Sequence, residues 1–446
     1  MMLAWEISWL AVVACFSIFL GGLLAIVGLP SWRSTMKAKR LPPGPKGVPL
    51  FGYLPFIRKP FHLAFNELSQ KYGPILRIRL GSKDVVVLND LASIREGLAN
   101  PDVLYRPEDF LFSYFGFKGI ASLNGEAWQM NRRYCFHVLR NLGFAKKSME
   151  EHIHEEVQWF VDVLASKKGR PTLVAQQLAA SVANNIAALV FGQGFDLDDP
   201  KEVKVREGHM DGYLDRDFID GYLRKMQENG ATESHYTLQY LEGNSINLFG
   251  AATNTVRSAI LWNLYIAASD PDGHQVRVQS EIDAVVGREK APCWEDRRRM
   301  PFTMASILEA LRWRTTAPVG IQRSAGRDTV IGGYDVPAGT FVIANLWSLH
   351  NDPAHWKNPS EYDPTRFLDG DGKELAEKPL AFLPFSVGRR ACPGESLGLM
   401  EVFLYVTTLL QKFRVLPEEG NTVSLDAQHA FISVANDTQR LRFVQR

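Results

Sequence analysis

Apolar side chains recur at helical spacing along much of the chain. The stretches are residues 126–180, 246–269, 302–313 and 395–413, with a shorter amphipathic stretch at Phe61–Tyr72. Apolar positions three and four residues apart lie on one face of an α-helix, so each stretch predicts a helix that packs on a core. The sequence shows no internal repeat and no low-complexity tract. The chain is therefore expected to be mainly helical.

Short runs of branched apolar residues predict a few strands. Ile75–Leu80 and Asp84–Leu88 are joined through Gly-Ser-Lys, which predicts a β-hairpin. A second strand pair is expected around Thr329–Ile331 and Thr340–Ala344. The predicted fold class is thus mainly α with small β-sheets.

The first part of the chain has a different character. Residues 7–29 carry no charged side chain, and as a helix they would reach about 34 Å, enough to cross a hydrocarbon core of about 30 Å. Basic residues follow the segment and none precedes it, which favours an N-terminal transmembrane helix with the body on the cytosolic side. A cleaved signal peptide is the alternative. We divide the chain into an anchor (1–30), a basic and Pro-rich hinge (31–45) and one body (46–446).

Composition narrows the classes of function. Lys and Arg number 50 against 49 for Asp and Glu, so the net charge of +1 gives no bulk positive field for nucleic acid. The cysteines Cys15, Cys135, Cys293 and Cys392 are too far apart for a CxxC pair or a zinc cluster. Scattered cysteines favour free thiols in a reducing compartment.

Cys392 stands in a segment whose spacing suits a metal-binding thiolate. The pattern is Phe385-x-x-Gly388-x-Arg390-x-Cys392-x-Gly394. The helix predicted after it would place free N–H groups and a positive dipole end beside the sulfur and lower the thiol pKa. The glycines permit a tight turn and the close approach of a flat group, and the arginine can reach a negative group. A buried bystander cysteine is the alternative.

This motif and two others resemble the cytochrome P-450 family, of the microsomal, family-2-like class. Glu309-Ala-Leu-Arg312 resembles the family's E-x-x-R helix, and Asp363-Pro-Thr-Arg366-Phe resembles its P-x-R-F segment. The resemblance covers nearly the whole chain after the anchor. It implies an orthogonal helical bundle around haem b, Cys392 as the iron ligand, and a buried Glu309–Arg312–Arg366 network that locks the cysteine loop. Thiolate ligation of haem iron favours O–O cleavage.

Further residues match positions at which the family holds haem. Trp128 and Arg132 resemble its haem-propionate helix, for which an ordinary amphipathic helix is the alternative. Arg323 stands where relatives often carry a propionate-binding histidine. With Arg390, the resemblance implies three cations for two carboxylates. The other expected haem contacts are Phe385, Gly388, Gly394 and Ala251.

The segment Phe249–Val256 resembles the family's A-G-x-[D/E]-T-T helix, in which an acid and a threonine handle protons for oxygen. Thr255 keeps the threonine, whereas Ala252 replaces the usual glycine, Asn254 the acid and Val256 the second hydroxyl. Asparagine forms hydrogen bonds but carries no proton at neutral pH. We expect Thr255 and Asn254, with a water, to handle proton delivery. The alternative is a packed core helix whose similarity to the motif has no function.

The stretch 201–215 departs most from the family. In relatives, two long helices and a loop lie between the segments that match Phe191–Pro200 and Arg216–Met226, and they roof the substrate cavity. The fifteen residues here would form one helix of about 22 Å at most. A shortened transcript or gene model, a natural variant with an open site and a wrong alignment are the alternatives. An open site would couple reductant to product poorly.

The expected function is a haem-thiolate monooxygenase that hydroxylates or epoxidises small lipophilic substrates with O2. Its substrate pocket would include Phe115, Phe117, Phe249, Val319 and Phe431. Electrons would come from NADPH through a separate flavoprotein reductase, with cytochrome b5 as a further partner. The resemblance implies an endoplasmic reticulum membrane protein in contact with lipid. A haem-thiolate isomerase or dehydratase, and a catalytically impaired haem-binding variant, are the other readings.

Overall fold

The computed structural model describes residues 40–107, 116–141, 147–192, 194, 217–229, 235–429 and 432–446. The predicted anchor, most of the predicted hinge, the stretch 201–215, and the predicted pocket residues Phe115 and Phe431 lie outside these ranges. None of the helices in these ranges combines the length and the apolar character of a membrane-spanning segment. The secondary structure there is mainly helical with small sheets, as the apolar spacing predicted.

Helices make up most of the described structure. Helices α1 to α11 are Phe61–Tyr72, Leu91–Ala99, Gly125–Asn141, Lys147–Ser166, Ala175–Phe191, Phe218–Asn229, Leu238–Ser269, His274–Val285, Pro301–Trp313, Leu346–His350 and Glu395–Lys412. Strands β1 to β11 are Ile75–Leu80, Lys83–Leu88, Thr172–Leu173, Arg323–Ser324, Thr329–Ile331, Tyr334–Val336, Phe341–Ala344, Phe413–Pro417, Ala427–His429, Ser433–Ala435 and Arg440–Gln445.

The predicted helical stretches are confirmed with changes of boundary. The stretch 126–180 contains α3, α4 and the start of α5; Gly169, with a φ of 72°, and Pro171 separate α4 from α5. Helix α7 begins before its predicted start, because the Thr237 Oγ1 accepts a hydrogen bond from the Tyr240 N–H at 3.1 Å and so caps the helix.

The four-stranded sheet has the order β1-β2-β7-β4. The predicted hairpin is confirmed as β1 and β2, antiparallel with Ile75 opposite Leu88. The second predicted strand pair is wrong, because β7 runs parallel to β2 and β5 pairs with β6. Gly332 and Gly333, with φ of 55° and 75°, form the tight turn that folds β6 back on β5. This Gly-Gly turn is the local signal for the correct pairing.

Helix α7 runs through the centre of the main core. Ile260, Leu264 and Tyr265 on this helix are fully buried, and α7 packs against α5, α9 and α11. Helix α11 begins shortly after Cys392, is buried along most of its length and leads directly into β8. The cysteine therefore lies where a loop joins a helix that the core holds in place.

The described end of the predicted hinge is tied to the body. Pro43 O accepts a hydrogen bond from the Arg77 N–H at 2.8 Å, and a Cβ on Gly44 would collide with the Arg77 oxygen. The Asp335 N–H donates to Arg40 O at 2.8 Å, and the Arg40 N–H donates to Asp335 Oδ2 at 2.6 Å. Residues 40–44 therefore pack along the strands.

Candidate active site around Cys392

Backbone hydrogen bonds fold the cysteine segment into a tight loop. The Cys392 N–H donates to Phe385 O at 2.9 Å, and the Ala391 N–H donates to Gly388 O at 3.0 Å. Gly388 has a φ of 80°, and a Cβ there would lie 2.5 Å from the Leu98 oxygen. Both facts exclude a larger residue at Gly388. The loop thus needs glycine where the motif has it.

The start of α11 lies beside the cysteine sulfur. Gly394 is the N-cap of α11, and its N–H donates to Cys392 Sγ at 3.4 Å. Cys392 is exposed at the surface of the chain, yet nearby protein desolvates its thiol. This burial raises the pKa of the thiol, although the Gly394 N–H and Arg132 act to lower it. The helix start thus acts to lower the pKa as expected, but in the chain alone burial outweighs it; a bound metal ion deprotonates a coordinating thiol.

Arg390 is committed to the polypeptide. It is buried, and its Nε, Nη1 and Nη2 donate to the carbonyls of Leu104 at 2.9 Å, Ile120 at 3.1 Å and Leu123 at 2.6 Å. Its guanidinium lies 3.8 Å from the centroid of the Trp128 ring. Arg390 therefore fastens the cysteine loop to the segment before α3, which the motif alone did not indicate. Its expected reach to a carboxylate stays a prediction.

Three further arginines lie in the same region. Arg132 Nη2 donates to Ala391 O at 2.6 Å, and Arg323 Nη1 donates to Leu98 O at 2.8 Å. Arg106 Nη1 donates to the carbonyls of Ile321 and Gln322, both at 2.6 Å. We call Arg106, Arg132, Arg323 and Arg390 the arginine cluster. Sequence reasoning missed Arg106, because the stretch around it matched no motif that we recognised.

Three members of the arginine cluster, Arg106, Arg323 and Arg390, have no carboxylate partner in the described residues, whereas the thiols of Cys392 and Cys135 act to raise the pKa of Arg132. The pKa of Arg390 is lowered by burial first and then by the guanidinium groups of Arg106, Arg323 and Arg132. Burial and neighbouring arginines also lower the pKa of Arg106 and Arg323. Buried charge without a counter-charge is costly. The cluster is therefore suited to a ligand that carries negative groups.

Glu309, Arg312 and Arg366 are in direct contact behind the loop. Arg312 Nε and Nη2 donate to the two Glu309 oxygens at 2.7 and 2.6 Å, a bidentate pair that is fully buried. Arg366 Nε donates to Glu309 Oε1 at 3.3 Å, and the Asp363 N–H donates to the same oxygen at 3.0 Å. These bonds join α9 to the 3₁₀ turn Pro364–Phe367.

Thr255, Asn254 and Ala251 share one face of α7. Thr255 Oγ1 donates to Ala251 O at 2.7 Å, and the Asn254 side chain is exposed.

Of the predicted pocket residues within the described ranges, Phe117, Phe249 and Val319 are half-buried. Phe249 packs on the main core, whereas Val319 packs on the separate cluster beneath β1 and β2. The structure therefore does not place these two in one apolar cluster.

The chain is similar to many proteins of one family. The sequence profile of that family, "Cytochrome P450", matches residues 42–214 and 204–441. The chain is 31% identical to Cytochrome P450 2H2 of Gallus gallus, over 95% of this chain and 95% of the relative. It is 33% identical to Cytochrome P450 2F2 of Rattus norvegicus, over 89% and 92% respectively. The chain belongs to the cytochrome P450 family. A relative named Cytochrome P450 18a1, of Drosophila melanogaster, is 31% identical over 90% of this chain and 86% of its own length.

Membership makes this cytochrome P450 a haem-binding oxidoreductase of the monooxygenase class. The described residues fit a haem group. Haem carries two carboxylates, and Arg106, Arg323 and Arg390 supply buried positive charge that no acidic side chain of the described residues offsets. The buried Trp128 Nε1–H finds no hydrogen-bond acceptor among the described residues. Cys392 offers a thiol at an exposed surface, and a Cβ on Gly394 would lie 3.9 Å from its sulfur.

Proposed function

We propose that this cytochrome P450 is a haem-thiolate monooxygenase that hydroxylates or epoxidises small lipophilic substrates, with Cys392 as the residue that would bind the haem iron. The observation that carries the proposal is the meeting of Cys392 with the arginine cluster. Arg132 donates to the carbonyl of Ala391, the residue before the cysteine, at 2.6 Å. A thiol next to uncompensated cations suits a group with a metal at its centre and carboxylates at its edge.

The loop residues would hold the sulfur in one place. When bound, a thiolate-ligated haem supplies an electron-rich iron that favours O–O cleavage. The Gly394 N–H would keep donating to the sulfur and so moderate its negative charge. Arg390 and the bond from the Cys392 N–H to Phe385 O would limit movement of the loop. Arg132, Arg323 and Trp128 would face the carboxylates.

Proton delivery would depend on Thr255 and Asn254. A hydroxyl has one hydrogen, and that of Thr255 is committed to Ala251 O. Thr255 Oγ1 can accept from a water in this state, but it can donate a proton only after it turns away from Ala251 O. Asn254 is exposed and can orient a water without ionising. We therefore propose slow proton delivery and poor coupling of reductant to product.

The substrate roof is proposed to be shortened within residues 201–215. The alignment with Cytochrome P450 2H2 spans 482 positions, although the chain has 446 residues, as expected if the relative carries segments that this chain lacks. The family profile also matches in two pieces that overlap at residues 204–214. Both observations support a shortened roof, which would admit water to the site and lower coupling.

The electron source and location are proposed from the family. Electrons would come from NADPH through a flavoprotein reductase, with cytochrome b5 as a second donor. Exposed bases on the cysteine side, such as Arg133, would meet the acidic partner. Residues 7–29 would anchor the protein in the endoplasmic reticulum membrane and leave the body in the cytosol.

The test of the haem ligand is the carbon monoxide difference spectrum of the reduced protein. A thiolate ligand shifts the Soret band strongly to the red, and we expect this band in the wild type. Cys392→Ala should abolish it, whereas Cys293→Ala, at another exposed cysteine, should leave it unchanged. A shifted band that persists in Cys392→Ala would falsify the ligand assignment.

Reductase dependence separates the proposed activity from the isomerase alternative. A monooxygenase forms product only with NADPH, reductase and O2, whereas an isomerase or dehydratase needs no external electrons. Product formed at the same rate without reductase would therefore overturn the monooxygenase proposal while leaving the ligand assignment intact.

A further inference from the structure

His350 lies buried between α9 and the cysteine loop. It ends α10 and is fully buried. Its Nδ1 lies 2.8 Å from Thr315 Oγ1, and its Nε2 accepts a hydrogen bond from the Leu383 N–H at 3.0 Å. Its ring stacks on that of Phe382 with the centroids 6.0 Å apart. The imidazole thus contacts the chain shortly after α9 on one side and the chain that leads into the cysteine loop on the other.

The hydrogen bonds fix which ring nitrogen carries the proton. Thr315 Oγ1 also bonds to Arg312 O at 2.9 Å, and a carbonyl can only accept, so the hydroxyl hydrogen points at Arg312. Toward His350 the hydroxyl must therefore accept, which requires a hydrogen on Nδ1. The Leu383 N–H can only donate, which requires a lone pair on Nε2. Both contacts require the same neutral tautomer of His350, with the hydrogen on Nδ1 and the lone pair on Nε2.

The surroundings keep this imidazole neutral. Burial, and then the positive charge of Arg312, lower the pKa of His350 to about 3. An imidazolium would present an N–H to the Leu383 N–H and lose that bond. The His350 carbonyl also accepts from Arg312 Nη1 at 2.7 Å. The residue is therefore bound to the Glu309–Arg312 pair through its backbone and to the cysteine loop through its side chain.

A short series of backbone hydrogen bonds connects Leu383 to Cys392. Leu383 O accepts from the Ser386 N–H at 3.0 Å, and Phe385 O accepts from the Cys392 N–H at 2.9 Å. Ser386 has a φ of 64°, which a residue with a side chain adopts only when its surroundings hold it there. A shift at Leu383 would therefore be passed on to the loop that carries the sulfur.

We propose that His350 is a positioning residue, whose Nε2 lone pair holds the Leu383 amide and thereby sets the place of Cys392 relative to the Glu309–Arg312 pair. The proposal rests on the proposed function, in which Cys392 binds haem iron. In this role the hydrogen-bonding atoms of His350 matter more than its size. Nε2 accepts from the Leu383 N–H, and the hydrogen on Nδ1 leaves Nε2 unprotonated.

Two variants separate these atoms. His350→Gln places an amide oxygen near the position of Nε2, where it can accept from Leu383. His350→Asn places its amide near the position of Nδ1, so it can bond to Thr315 but leaves the Leu383 N–H unpaired. In the full-length haem protein we expect hydrogen exchange at the Leu383 amide to be roughly tenfold faster in His350→Asn than in His350→Gln, because a buried hydrogen bond is lost. Mass spectrometry with electron-transfer fragmentation measures this exchange.

The carbon monoxide spectrum supplies the second readout. His350→Gln should keep the wild-type share of the red-shifted band, and His350→Asn should lose a large part of it at equal haem content. If the two variants show the same exchange rate at the Leu383 amide and the same share of the red-shifted band, the proposal is overturned. His350 would then contribute only to core packing. If the wild type itself shows no red-shifted band, the proposed function fails, while the exchange at Leu383 still decides the role of the imidazole.

Thr315→Val tests the tautomer without changing His350 and guards against variants that do not fold. The methyl group fills the space of the hydroxyl but cannot accept from Nδ1–H, so the proton is free to move to Nε2 and oppose the Leu383 N–H. We expect faster exchange at Leu383 and a smaller red-shifted band. The neighbouring Thr316→Val is the matched control. Unchanged exchange at Leu383 in Thr315→Val would contradict the proposal.

Discussion

Single residues around Cys392 differ in what their hydrogen-bond donors are committed to. Arg390 uses Nε, Nη1 and Nη2 on three backbone carbonyls, so its main effect is to hold the polypeptide. Arg132 and Arg323 are tied to the loop and its surroundings at fewer points. They keep more N–H groups for a ligand. Replacement of any of these three arginines by lysine would remove the forked geometry of the guanidinium group.

Asn254 is the residue that most directly limits the proposed chemistry. Asn254→Asp introduces a carboxyl that can carry a proton on the same exposed face of α7 as Thr255. We expect product formed per NADPH consumed to rise several-fold and peroxide release to fall. Asn254→Ala is the control, since it removes the amide without adding an acid and should not improve coupling. Equal coupling in Asn254→Asp and the wild type would show that proton supply is not limiting.

At the scale of elements, the sequence predicts what is local and misses what depends on distant partners. Gly388 could be assigned to a tight turn from its spacing to Cys392, and its φ of 80° agrees. The parallel pairing of β2 with β7 could not be foreseen, because their register is set by the packing of the segments between them. Arg106 and His350 were missed because no sequence motif marks them and their hydrogen-bond partners lie far away in the chain.

The bidentate pair of Glu309 and Arg312 joins α9 to the 3₁₀ turn that carries Arg366. Glu309→Ala would leave both guanidinium groups without their carboxylate inside the protein and should cost roughly 3–5 kcal/mol in the free energy of unfolding. We expect most of the purified variant to lack haem, measured as haem absorbance per polypeptide. Glu295→Ala is the matched control, because Glu295 pairs with Arg298 at the surface. Normal haem content in Glu309→Ala would show that the Glu309–Arg312–Arg366 network is not needed to hold the cysteine loop.

On the scale of the whole molecule, the described part of the chain buries ionisable groups for which it supplies no counter-charge. The arginine cluster approaches Cys392 through Arg132, which donates to the carbonyl of Ala391. Along α11 lies Glu401, which is buried with one carboxyl oxygen unpartnered. The first group favours a bound anion, whereas the second favours a bound proton. Stability of the whole fold should therefore respond both to cofactor and to pH.

The buried carboxyl of Glu401 determines whether the stability of the fold rises or falls with pH. Burial raises the pKa of its carboxyl from 4.5 to about 8. Between these values the folded protein holds a proton that the unfolded chain has lost, so stability falls as pH rises through this window and levels off above about pH 8. The pKa of Glu156, raised to about 7 mainly by burial, adds a response of the same sign.

Glu401→Gln should remove the part of this response that belongs to Glu401. The amide stays neutral at every pH, so the variant should lose much less free energy of unfolding than the wild type between pH 6.5 and 8.5. The exposed Glu374→Gln is the matched control. Urea unfolding followed by haem absorbance and circular dichroism measures the difference. Parallel pH profiles for wild type and Glu401→Gln would mean that the Glu401 carboxyl is paired or hydrated in solution, because only a desolvated carboxyl resists ionisation across this range.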